Sequence, residues 1–200
     1  MNEAMMKINV LLCIALISIS SCKDPIEEDN TIRAIVNLNS IHQETDNTYQ
    51  VGVNPHGQIL ISQKDSVVTF EIQLENFAAN TLHAVHLHIG SCAEPGMHWN
   101  QGKDMTTKFC NERSLGIPWG KPKAGDVGNV SVGYDGTGSY TIKTDLWRLN
   151  SLDDRDIIGK AVVIHGTFDD FTTECDPSHD HNHPHTNPKV ACGTIELITE

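Results

Sequence analysis

Along residues 66–75 (SVVTFEIQLE), Val68, Phe70, Ile72 and Leu74 share one parity while Thr69, Glu71, Gln73 and Glu75 share the other. Successive side chains of a strand point to opposite faces, so this pattern predicts a half-buried antiparallel strand with one face on a core and one in water. Similar short runs recur at 32–38, 58–63, 83–88, 129–133, 139–145, 161–165 and 192–198, separated by turn signals such as Asp135-Gly136. No helical periodicity of useful length and no internal repeat accompanies them. Eight such strands predict an all-β sandwich or flattened barrel. Two intervals, 89–128 and 166–190, are too long for tight turns, and loops of that length in a compact domain are usually functional or disordered.

The amino terminus has a different grammar. Lys7 precedes an apolar run over 8–19 (INVLLCIALISI), followed by Ser20, Ser21 and Cys22. About a dozen apolar residues fall short of the roughly 20 that span a bilayer, so the run reads as a signal peptide. Its ending resembles the bacterial lipobox, in which cleavage leaves the cysteine at the new terminus and lipid joins its sulfur. The expected organisation is therefore a lipoprotein signal peptide over 1–21, lipidation at Cys22, a flexible acidic tether over 22–30, and one β-domain over 31–200. Such a chain is tethered in the periplasm or at the cell surface without spanning the membrane. Export also bears on the six cysteines: Cys13 leaves with the signal and Cys22 takes lipid. Cys92, Cys110, Cys175 and Cys192 remain, an even number in an oxidising compartment, and two disulfides are expected among three pairings. The formal charge of −12 offers no basic field for nucleic acid.

The 11 histidines are the other unusual count. His86 and His88 are two apart on one expected strand, so their imidazoles project from the same face while Val85 and Leu87 supply core. His98 follows in the first long loop, and His165 ends the apolar strand 161–164 beside a loop. Four neutral imidazoles in a nearly planar set suit copper, which cycles between two oxidation states.

The segments HAVHLH (83–88), HWN (98–100), AGDVGNV (124–130), IIGKAVVIH (157–165) and VACGTI (190–195) resemble, in order and spacing, the signatures of the copper/zinc superoxide dismutase family across residues 31–198. The resemblance implies an eight-stranded Greek-key β-barrel with two long functional loops. It further implies one copper per chain, held by His86, His88, His98 and His165, with His83 in a structural role. It gives Cys92–Cys192 as the family disulfide, which leaves Cys110 for Cys175, and it makes Asp169 the carboxylate that orients a copper-ligand imidazole.

Two positions depart from the family pattern. In the family the residue at His98 bridges to zinc, which takes two more histidines and an aspartate. Asp126 is present, but no histidine lies between His98 and Asp126, and Lys123 stands where the last zinc histidine aligns. A charged ammonium cannot ligate and repels a dication, so only a residual pair, His98 and Asp126, is left and zinc is not expected at the usual site. Lys189 aligns with the family's active-site arginine, keeping the charge and losing the planar fork.

The implied activity is copper-dependent dismutation of superoxide, with His98 carrying a proton and Lys189 attracting the anion. Without zinc, the second nitrogen of His98 is expected to be fixed by Asp126 or by water. The competing reading is a slow or non-catalytic copper-buffering lipoprotein on the same fold. The tract over 179–185 adds His179, His181, His183 and His185 in the second long loop. It reads as a solvated segment, as a low-affinity accessory metal site, or as a source of substitute zinc ligands.

Overall fold

The computed structural model describes residues 30–178 and 187–199. The signal segment, Cys22, the tether up to residue 29 and His179, His181, His183 and His185 lie outside the described residues. In chain order the strands are β1 (Ile32–Thr45), β2 (Thr48–Lys64), β3 (Val67–Leu74), β4 (Leu82–His88), β5 (Arg113–Ser114), β6 (Ile117–Pro118), β7 (Asp126–Ser131), β8 (Gly138–Thr144), β9 (Ala161–His165), β10 (Lys189–Thr194) and β11 (Glu196–Leu197). A single helical turn, α1 (Phe171–Cys175), sits in the second long loop. None of the described helices is long and apolar enough to cross a membrane.

Eight of these strands pair in the order β7-β4-β9-β10-β1-β2-β3-β8. The ends of that path meet where Val132 bridges Gly138, so the sheet is a nearly closed antiparallel barrel. The chain crosses from β3 to β4 and from β8 to β9 between strands that are not neighbours, which gives the Greek-key connection. Inside lie Val68, Phe70, Ile72 and Leu74 of β3, all at most 2% exposed, as the alternation predicts. Phe70 meets the buried Trp147 edge-on at 5.5 Å between ring centres, a favoured aromatic geometry.

The first hairpin is longer than the sequence suggests. β1 and β2 stay paired out to Thr45 and Thr48, with register shifts near Leu38, Asn39 and Gln43. This extension escapes an alternation search because Ser40, Ile41 and Tyr49 are its only buried residues between 39 and 57. Gly57 allows one bend in it: at φ 117° a side chain would place Cβ 2.0 Å from the Gln73 carbonyl oxygen.

Two cores result. Val85 and Leu87 of β4 and Val162 and Ile164 of β9 belong to the barrel interior. On the outer face, Ala161 and Val163 pack with Ile41, Tyr49, Cys92 and Cys192 into a small second core beneath the extended hairpin. His86, His88 and His165 share the parity of this outer face, so they lie outside the barrel wall, where the two long loops cover them. Two disulfides tie those loops down. Cys92–Cys192 joins the first loop to β10, and Cys110–Cys175 joins the first loop to α1.

Candidate metal centre

β4 and β9 pair so that His86 opposes Val163 and His88 opposes Ala161, and the ring of His165, at the β9 end, lies 4.5 Å from that of His86 and 5.7 Å from that of His88 between centres. The chain then brings His98 back to β4. Trp99 N–H donates to Leu87 O at 2.7 Å, Leu87 N–H to Gly125 O at 2.8 Å and Gly125 N–H to Trp99 O at 3.0 Å, which lays both ends of the loop along one strand end. One ligand atom from each of His86, His88, His98 and His165 falls within 4.8 Å of the other three. Ligands on opposite sides of a bound metal are separated by about 4 Å, twice a metal–imidazole bond of about 2 Å. The set is therefore close to binding geometry. Among the described residues, no other group of three or more His, Cys, Asp or Glu side chains converges in this way.

The remaining imidazole nitrogens show which atoms are available. His88 Nδ1 lies 3.0 Å from Gly96 O and His165 Nδ1 lies 3.1 Å from Asn187 O. A carbonyl can only accept, so both Nδ1 atoms carry the proton and both Nε2 atoms present a lone pair. These two Nε2 atoms are buried without a hydrogen-bond partner, an arrangement that costs free energy unless something binds there. His86 Nε2 faces Asp169 Oδ2 at 2.7 Å, and His98 Nδ1 faces Asp126 Oδ1 at 2.9 Å. Asp126 accepts the His98 Nδ1 proton, which turns the opposite nitrogen of that ring toward the cluster, while the His86–Asp169 approach is a close charged contact rather than a hydrogen bond. Four converging imidazole nitrogens fit a copper ion in either oxidation state.

Electrostatics keep His88 and His165 neutral. Burial, with the neighbouring imidazoles adding to it, drives His88 far below the ordinary histidine range. Burial likewise pushes His165 down to about 4, against the opposing effect of its bond to Asn187 O. Because the folded value lies below the unfolded one, the unfolded chain binds more protons, so stability is full above about pH 6.5 and is lost as pH falls toward 4. For metal-free protein, His165 alone is expected to cost on the order of 3 kcal/mol across that window, the product of the shift and 1.36 kcal/mol per unit. Urea midpoints at pH 7 and pH 4.5 measure this, and a metal-free midpoint that does not fall with pH contradicts it.

The supporting shell includes residues that motif reasoning missed. Asn129 Nδ2 donates to Asp169 O at 2.8 Å and Asn129 Oδ1 accepts from Asp169 N–H at 3.0 Å, clamping the backbone that carries the carboxylate. Asn187 Nδ2 reaches Asp169 Oδ1 at 3.2 Å, while its own carbonyl takes the His165 proton. Asn129 was visible within the AGDVGNV motif; nothing local marks Asn187. Asp126 is buried, which opposes its ionisation. The bond and charge of His98, the His86 charge and the Lys123 amide outweigh that and hold its carboxyl below the usual value. His83 is buried beneath β9, with Nδ1 2.6 Å from His165 O.

A cavity of about 630 Å³ opens onto the four imidazoles, with Lys123, Lys189 and Phe171 in its wall. Lys189 opposes His165 across β9 and β10, and its ammonium lies 5.4 Å from the centre of the Tyr49 ring. Burial pushes the Lys189 ammonium below its ordinary pKa. Tyr49 owes its place to the hairpin extension, so sequence patterning gave no sign of this contact.

A β-barrel with a four-imidazole centre on its outer face defines a class of metal-site proteins. The family model described as copper/zinc superoxide dismutase matches residues 55–195, and the chain belongs to that family. Among solved structures, a mutant of a SOD-like protein from Bacillus subtilis is similar at 20% identity and a TM-score of 0.56, covering 80% of this chain and 95% of that one. A double mutant of a SOD-like protein from the same organism is similar at 21% identity, with the same TM-score and coverage. At these identities the likeness concerns the fold.

Proposed function

We propose that the protein is a copper-dependent superoxide dismutase that works outside the cytoplasm with one copper per chain and without zinc. The carrying observation is the set of four converging imidazoles, three of them with the Nδ1 atom bonded to a fixed acceptor of this chain and the fourth, His86, set against Asp169. The net reaction consumes two superoxide anions and two protons and yields oxygen and hydrogen peroxide. Bound copper would supply the one-electron couple that links the two halves.

The chain's own residues supply the rest. His88 and His165 are held by Gly96 O and Asn187 O, and His86 is set against Asp169, so little reorganisation is needed. His98 differs because it comes from a loop and its side chain is 21% exposed. With its Nδ1 proton held by Asp126, Nε2 is the atom that carries the proton required by the second superoxide. This supports the absence of zinc, since the nitrogen that would face a second metal is engaged by a carboxylate of the same chain. Lys189 provides positive potential at the cavity wall, drawing an anion toward an otherwise acidic protein.

The two disulfides fit an oxidising compartment. We extend the proposal to export by the 1–21 signal and anchoring by lipid on Cys22. For the activity itself, copper-loaded, zinc-free protein is expected to accelerate superoxide decay. Lys189→Met should slow that decay several-fold and flatten its dependence on ionic strength. No acceleration by the loaded protein would overturn the proposal. The second reading, copper buffering, is favoured by one observation: Lys189 lacks a bidentate fork and rests against Tyr49. It requires tight copper with no catalysed decay.

A further inference from the structure

Asp126 uses both carboxylate oxygens. Oδ1 holds His98 Nδ1, and Oδ2 accepts from the backbone N–H of Lys123 at 2.7 Å. The Lys123 side chain turns the other way, to the stretch that follows His98 in the chain. Its ammonium donates to Met105 O and, at 3.4 Å, to Thr107 O. Burial lowers the Lys123 pKa and the Asp126 charge works against that, so the ammonium and the buried carboxylate stabilise one another. Asn100, almost fully buried, completes the fastening. Its Nδ2 donates to Asp104 O at 2.9 Å and Thr107 O at 3.1 Å, while its Oδ1 accepts from Ala124 N–H at 3.0 Å.

Lys123 therefore acts by two routes: its ammonium holds two carbonyls of the segment 105–107, and its backbone N–H holds the carboxylate of Asp126 and, through that carboxylate, the ring of His98. We infer that Lys123 is a positioning residue for His98, its ammonium acting as an internal cation that closes the loop 99–126. Lys121 does not share the task, because its ammonium lies 3.9 Å over the Trp119 ring and 3.4 Å from Trp119 O. Its charge packs on that indole and on the Trp119 carbonyl rather than on the carbonyls of 105–107.

The inference rests on His98 being a metal ligand, but its test needs neither metal nor activity, so the two can fail separately. In metal-free protein, Lys123→Met should speed amide exchange over 105–109 about tenfold to a hundredfold, as losing hydrogen bonds from a charged donor requires. The Nδ1 proton resonance of His98, sharp in the native protein, should broaden or vanish, while protection of the barrel strands stays unchanged. Lys123→Arg, which keeps the charge, should restore the His98 resonance. An unchanged loop and an unchanged His98 resonance in Lys123→Met overturn the inference. If that variant does not fold, the native protein decides by nitrogen NMR of its lysines. A slowly exchanging Lys123 ammonium with couplings to the Met105 and Thr107 carbonyl carbons upholds the inference, and a freely exchanging one overturns it.

Discussion

His165→Ala is expected to abolish specific copper binding while leaving the barrel folded. His165 is the last residue of β9, and its side chain is on the outer face, so its removal opens no gap among Phe70, Trp147 and the interior residues. It does remove one of the four converging imidazoles. Losing an outer-shell partner of a metal ligand typically costs about 10- to 100-fold in affinity, and losing the ligand itself should cost more, on the order of a thousandfold. Competition with a copper chelator, read beside circular dichroism, measures both parts. A variant that binds copper as tightly as the native protein would remove His165 from the site.

The second large effect is expected at Cys92–Cys192. The bond closes 100 residues of sequence, from the first long loop to the strand that carries Lys189. Loop-closure entropy for a span of that length corresponds to roughly 4.7 kcal/mol of stabilisation, less any native strain. Cys92→Ser with Cys192→Ser should lower the denaturant midpoint accordingly. It should also loosen the second core, because both cysteines pack there with Ile41, Tyr49, Ala161 and Val163. Loss of this packing frees Tyr49, and with it the face against which Lys189 rests. A double variant of native stability would show that the outer core holds without the bridge.

The parts of this molecule legible in its sequence are those governed by local periodicity. β3 could be read because one face is wholly apolar and the other wholly polar, and His86 and His88 could be placed on one face because strand parity is strict. The extension of β1 and β2 could not, since its buried residues are too few to make a pattern and its purpose is contact with a loop far away in sequence. The loop 99–126 shows the same limit. Absence of histidine there implied a lost zinc site, and Asp126 or water was expected at His98. That the carboxylate makes the bond, with Lys123 and Asn100 closing the loop, depends on backbone carbonyls whose placement no residue type encodes. The charge of −12 does not describe the cavity either, whose wall sets Lys108, Lys123 and Lys189 beside Asp126, Asp169 and Glu174, with Lys189 the cation paired opposite His165.

The central claim is tested most directly by pulse radiolysis of copper-loaded protein prepared without zinc, with both metals counted in the same sample. The account requires superoxide decay first order in protein, far faster than with His165→Ala, at one copper and no zinc per chain. Decay no faster than in that variant while copper stays bound, or activity that appears only when zinc is added, would contradict it.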